Sequence, residues 1–208
     1  MKGIDGTSNG WIAAEYDGDS WSIEFAETLE ELEFEEALID MPVGLPDDSE
    51  RRCDIEARSF LSPERHYSIF SSPVKEAVHA ESYEEACDIN EEKTGKRITK
   101  QAWNICPKIR EVQQYSSKLE ESHPEVFFKS LKEDSVKHSK RSEKGIEDRR
   151  TILEQYGELP DLSGYPTHDI LDAMVLALGE LLELEPIPEN PDENSEGIEM
   201  KIMQPFSR

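Results

Sequence analysis

The run KGIDGTSNGWIAAEYDGDSWSIEF, residues 2–25, reads as three short strands joined by two polar turns. Lys2 to Asp5, Trp11 to Tyr16 and Trp21 to Phe25 carry the apolar residues, and Gly6 to Gly10 and Asp17 to Asp19 supply the turn chemistry. Turns this short favour antiparallel hairpins. Working outward, residues 27–37 are acidic but carry Leu29, Leu32 and Phe34, so a helix capped by Thr28 is expected. Ala37-Leu-Ile-Asp40 is a brief apolar run ended by Met41-Pro42, which predicts a buried fourth strand finishing at Asp40.

After Pro46 the patterning turns helical. Helices are expected over 49–61, stopped by Ser62-Pro63, and over 81–93 and 99–118, with a loop-like stretch at 62–80. Residues 119–122 suit a fifth strand, Pro124 opens a short helix, and 143–157 suits another. Thr167 is expected to cap a helix from His168 to Leu184, with Leu171, Val175, Leu178 and Leu182 on one side. Pro186 to Ser195 reads as a polar linker and Ile198 to Ile202 as a late edge strand.

Hairpin strands followed by alternating helices and strands imply an α/β fold. Its sheet is mixed, three antiparallel strands and then parallel ones, flanked by helices, with a helical insertion after the fourth strand. That is the ribonuclease H-like order, and the actin and sugar-kinase fold begins the same way. One domain over residues 1–185 is expected, with 186–208 adding the linker and a C-terminal edge strand of that same domain.

Composition sets outer limits. The chain has 208 residues, room for one ordinary domain. Leu, Ile, Val and Phe make up about 22% of it, just above the roughly 20% below which a highly charged chain stays disordered. No apolar run approaches the ~20 residues that span a bilayer, and MKGIDG lacks the apolar core of a secretory signal. No membrane role and a cytoplasmic location are therefore expected. Cys53, Cys87 and Cys106 have no CxxC spacing, which argues against a cysteine zinc site or a disulfide framework. With 47 acids against 23 bases the net charge is −24. Such a surface suits a salt-rich cytoplasm, where at 1 M ionic strength charges are screened beyond ~3 Å. A halophilic archaeal source is expected, an acidic mesophile being the bland alternative. Residues 93–150 depart from the trend with 15 Lys and Arg against 9 Asp and Glu. That local excess is a candidate anion-facing surface, nucleic acid included, or else a solvated helix face.

The chemically suggestive residues are Asp5, Asp40, Glu121, Asp169 and Asp172. In a chain this acidic, five acids mean nothing without context. Asp5 and Asp40 have context, because each ends an apolar strand. Paired strands lie ~4.8 Å apart, so pairing would bring their carboxylates together. Asp169 and Asp172, at i and i+3, share one helix face; Asp169 also sits where a helix dipole favours an acid. Carboxylates gathered in a fold repel unless a cation neutralises them. Hard oxygen ligands select Mg²⁺ or Mn²⁺, and two such ions ~3.5–4 Å apart could activate a water and stabilise the leaving oxygen of a phosphodiester.

These residues belong to a longer ordered set: Gly3-Ile-Asp-Gly6 with Gly10-Trp-Ile-Ala-Ala14, Ile39-Asp-Met-Pro-Val-Gly-Leu-Pro46, and Arg51-Arg-Cys-Asp54 with Ala57-Arg58. Ser68-Ile-Phe70 with Pro73, Gln101, Cys106-Pro-Lys-Ile109, Glu121-Ser-His-Pro-Glu125 with Phe128, and Asp169-Ile-Leu-Asp-Ala173 continue it. The set resembles the DUF429 family, regarded as predicted ribonuclease H-like nucleases, over most of the chain. Its last member is also similar to the C-terminal helix of Holliday-junction resolvases, where paired acids complete a metal site. The resemblance implies Asp5, Asp40, Asp169 and Asp172 as metal-binding carboxylates, with Glu121 a fifth candidate. It implies a Mg²⁺- or Mn²⁺-dependent nuclease cutting DNA or RNA. The family commonly has an acid immediately before Asp169, and here that residue is His168: a metal ligand, a proton carrier, or a helix-start residue facing solvent.

His123 could act as a general base, or Pro124 could simply start a helix with Glu125 on its dipole. Arg51, Arg52 and Arg58 could hold phosphate or pair with the surrounding acids, and the acids favour pairing. Trp11 and Trp103 read as core. Two other functions stand beside the nuclease. One is a non-catalytic module of the same fold that binds nucleic acid or a protein. The other is an actin-like or kinase-like nucleotide binder suggested by Asp5-Gly6-Thr7, for which the chain has no room to supply a second lobe.

Overall fold

The opening run forms strands β1 (Lys2–Thr7), β2 (Gly10–Tyr16) and β3 (Trp21–Ala26), each antiparallel to the next. These come from a computed structural model that describes residues 1–132, 136–162 and 166–206. Gly10 makes the first hairpin possible: its φ is +148° and a Cβ there would stand 2.1 Å from the Ala26 carbonyl oxygen. Strand β4 (Ala37–Ile39) pairs parallel with β1, and β5 (Leu119–Glu121) pairs parallel with β4. The strand order is β3-β2-β1-β4-β5, so β1 lies at the centre with an antiparallel neighbour on one side and a parallel one on the other. This is a ribonuclease H-like sheet.

The helical insertion lies between β4 and β5. It holds α1 (Arg52–Leu61), α2 (Lys75–Val78), α3 (Tyr83–Thr94) and α4 (Lys100–Gln113). After β5 come α5 (Pro124–Lys132), α6 (Glu143–Leu153) and α7 (Thr167–Ala177). Both faces of the sheet are covered, as the unbroken burial of Gly10 to Ala14 requires. Ile12, Ala14 and Leu38 pack with Leu171, Met174 and Val175 of α7 on one face. Ile4, Trp11 and Ile39 pack with Cys106, Ile109 and Val112 of α4 on the other.

Side chains alternate along a strand, so Gly3 and Asp5 face the α7 side while Ile4 faces α4. At Gly3 the helix rests directly on the strand. A Cβ there would stand 2.2 Å from the Ala173 carbonyl oxygen and 2.3 Å from the Ala177 nitrogen. That contact carries Asp5 towards the start of α7.

Several local expectations need correction. Residues 27–37 are not a helix: only Leu29–Glu31 form a 3₁₀ turn, and the Thr28 side chain makes no capping bond. Six glutamates between 27 and 36 would repel along a helix, and Leu29 and Leu32 are drawn into the core instead. The stretch 62–80 is not all loop, since it holds a 3₁₀ turn at His66–Ser68 as well as α2. Thr167 is the first residue of α7 and not its cap, and the helix gives way to a 3₁₀ turn at Leu178–Leu181. The polar linker expected over 186–195 is strand β6 (Leu184–Glu193), paired antiparallel with β7 (Glu199–Pro205). Three prolines suit β6 because it has a partner on one side only, so their missing N–H groups cost little. The late strand therefore belongs to a separate two-stranded sheet. Among the described residues it reaches the main sheet through a parallel bridge, Ser122 with Met203, where the Ser122 hydroxyl donates to the Met203 carbonyl at 2.7 Å. No helix among the described residues is long and apolar enough to cross a membrane.

Candidate metal centre

Asp5 ends the buried part of β1, and Asp169 and Asp172 occupy the first and second turns of α7. Their i, i+3 spacing puts both helix acids on the face that meets β1. Each of the three offers a carboxylate oxygen, and these oxygens all lie within 4.8 Å of one another. Asp5 and Asp172 are buried and Asp169 is half-buried. At that separation two full charges repel by about 3–4 kcal/mol for an effective dielectric of ~20.

The partners of these oxygens are few. The Gly6 backbone N–H donates to Asp5 Oδ1 at 2.7 Å. Lys140 Nζ donates to Asp172 Oδ2 at 2.5 Å. Asp172 Oδ1 is buried with no hydrogen-bond partner among the described residues. Burial, then the charges of Asp40 and Asp172, push the Asp5 carboxyl well above the usual carboxylate range, against the pull of Lys140. Burial pushes Asp172 up to about 6 although Lys140 opposes it. A donor set made of carboxylate oxygens, crowded and with one buried oxygen unsatisfied, could hold a metal ion.

Asp40 follows β4 as expected. Its backbone N–H donates to the Ile4 carbonyl at 3.0 Å, which sets it beside Asp5. Its charge reaches Asp5 and Asp172, but it is not one of the three that share the 4.8 Å spacing. Glu121 lines a small cavity with Asp40 but is not one of the three. Arg51 grips both its oxygens at 2.6 and 2.7 Å, and the Val43 N–H donates to it at 3.0 Å. Arg51 also meets both oxygens of Asp54, at 2.5 and 3.2 Å, and the Ser72 N–H donates to Asp54 at 3.0 Å. The structure thus gathers Asp5, Asp169 and Asp172, sets Asp40 next to them, and commits Glu121 to a buried ion network of its own.

The histidines divide similarly. His168 Nε2 lies 3.3 Å from Asp169 Oδ1 at the rim of the cluster, and burial lowers its pKa from the ordinary value. His123 Nδ1 accepts from the Glu125 N–H at 3.2 Å, so it finishes the start of α5. The arginines pair with acids: Arg52 with Glu56 and Asp192, and Arg58 with Glu50 at 2.7 Å. Trp11 is core, its indole N–H donating to Glu111 at 3.0 Å, and Trp103 lines the core beside it.

Two cations at the cluster escaped sequence reasoning. Lys140 is one. Lys108 is the other: it donates to the Gly10 carbonyl at 2.6 Å, lies 4.0 Å over the Trp11 ring, and acts on Asp5 by charge. The signal that could have found them is the basic excess over 93–150, which contains both.

A family model described as "Protein of unknown function (DUF429)" matches residues 3–180. The chain belongs to the DUF429 family. The DUF429 match takes in Asp5, Asp40, Asp169 and Asp172, and it stops short of the β6–β7 hairpin. No curated protein and no solved structure matches this DUF429 chain.

Proposed function

We propose that this DUF429 protein is a divalent-metal-dependent nuclease that hydrolyses phosphodiester bonds of DNA or RNA. One observation carries the reading. Three carboxylates from β1 and α7 lie within 4.8 Å of one another, and one of their buried oxygens has no hydrogen-bond partner among the described residues. Mg²⁺ or Mn²⁺ at such a site would polarise the scissile phosphate and make the attacking water more acidic. In this reading Asp5 and Asp172, which are buried, are the fixed ligands, and Asp169 and Asp40, which are less buried, face the substrate. By the same reading His168, with Nε2 3.3 Å from Asp169 Oδ1, carries a proton between Asp169 and solvent. Lys140, with the exposed Arg141 beside it in sequence, gives an otherwise acidic molecule a cationic edge at the cluster. The acid excess elsewhere favours a salt-rich cytoplasm as the working environment.

The test is calorimetric titration of Mn²⁺ into the wild type and Asp5→Asn at molar KCl, followed by incubation with labelled single- and double-stranded DNA and RNA. The wild type binds saturably and cleaves. Asp5→Asn keeps its circular dichroism spectrum and loses more than about 100-fold in rate, a factor that loss of a mere outer-shell partner can already reach. Full cleavage by Asp5→Asn would sink the assignment. Tight nucleic-acid binding without turnover in any divalent metal would replace it with the non-catalytic module.

A further inference from the structure

Lys140 comes from the turn that precedes α6, far in sequence from either half of the carboxylate cluster. That turn is held in place by its own contacts. The Ser142 N–H and hydroxyl both donate to the Ser139 carbonyl, at 2.9 and 2.8 Å. His138 Nδ1 lies 2.6 Å from Asp148 on α6. Gly145 lets the turn lie against the helix start, since a Cβ there would stand 1.9 Å from the Ser139 oxygen. The lysine is thereby delivered to the cluster by a clamped main chain. Its ammonium meets Asp172 Oδ2 at 2.5 Å, with the Asp172 side chain 2% exposed and that of Lys140 32%.

A single positive charge cannot satisfy this cluster. Asp172 Oδ1 stays without a hydrogen-bond partner among the described residues even with Lys140 in contact with Oδ2. A divalent cation held by Asp5, Asp169 and Asp172 would have to share Asp172 with the ammonium and would repel it. We infer that Lys140 is the resident counter-ion of the metal-free centre, and that an entering divalent cation competes with it for Asp172 and displaces it. The inference rests on the metal reading proposed above and adds a positioning residue to it: Lys140 keeps the aspartates together without metal and sets the threshold for loading. The partial exposure of its stem gives the ammonium a way out towards solvent.

The experiment is Mn²⁺ titration calorimetry, together with thermal melts in chelator and in saturating Mn²⁺, on the wild type, Lys140→Met and Lys140→Arg. Lys140→Met keeps the stem and removes the charge. It is expected to bind Mn²⁺ about tenfold more tightly, because the ion no longer has to break a half-buried pair. In chelator it melts below the wild type, and Mn²⁺ closes the gap. Lys140→Arg keeps the charge and binds Mn²⁺ as the wild type does. Equal or weaker Mn²⁺ binding by Lys140→Met, with the wild type still binding, would overturn the inference and leave the metal reading standing. Tightening in Lys140→Arg as well would assign the effect to side-chain shape and overturn it too. Saturable binding by none of the three would overturn the metal reading and the inference with it.

Discussion

Among the buried groups of charged side chains in this fold, one lies around Arg51 and another around Asp5. In the first, Arg51 spreads its guanidinium between Glu121 and Asp54, and backbone N–H groups of Val43 and Ser72 complete the set, so that all four carboxylate oxygens accept a hydrogen bond. In the second, Lys140 donates to Asp172, the Gly6 N–H donates to Asp5, and His168 lies 3.3 Å from Asp169, while the buried Asp172 Oδ1 accepts nothing among the described residues. The first group is closed and the second is open. Both consist of buried acids, so burial alone does not separate structural from functional charge; the state of the individual oxygens does.

The comparison breaks most readily at Arg51. Arg51→Met leaves two buried carboxylates with only their backbone donors and no neutralising charge, and is expected to cost about 3–5 kcal/mol, read as a lowered urea midpoint. A cost below about 1 kcal/mol would mean that the closed group locks nothing. The open group predicts a smaller gain. Mn²⁺ at a hundred times its dissociation constant should stabilise the wild type by about 2.7 kcal/mol, a rise of several degrees in melting temperature. Asp5→Asn should show no such rise, and an equal rise in both would place the ion outside the cluster. Glu50 sets the bottom of the scale. Hydrogen bonds from Lys96 and Ser71 hold its carboxyl below its unfolded value of 4.5. Its contribution is therefore complete above that pH and fades as pH falls through the lower folded value. Glu50→Gln should cost no more than about 1 kcal/mol at neutral pH, with the gap to the wild type closing in acid.

Much of this was legible in the sequence. The hairpins and the parallel fourth and fifth strands follow from short apolar runs and polar turns, which are local signals. Asp5 and Asp40 were legible because a charge at the end of an apolar strand has no local purpose, and Asp169 with Asp172 because one helix turn aligns them. Glu121 shares the strand-end context of Asp5, yet its partner is Arg51 on the approach to α1. Nothing local to Glu121 distinguishes an acid bound for an arginine from one bound for a metal. Lys140 was hidden for the opposite reason, since its role depends on a tertiary contact with Asp172 and on a clamp that only the folded turn provides. Strand β7 lies where a late strand was expected, but its partner β6 was missed because prolines and acids mask the alternation, and because one free edge tolerates both.

The contact at Gly3 bears on when this molecule becomes competent. Main chain touches main chain where α7 lies on β1, so the two halves of the aspartate cluster are registered only once that helix has docked. A ribosome makes Asp5 well before Asp169 and Asp172. A nascent chain thus carries its aspartates apart until nearly all of the sheet and its helices exist, and whatever chemistry the cluster performs begins with a finished fold.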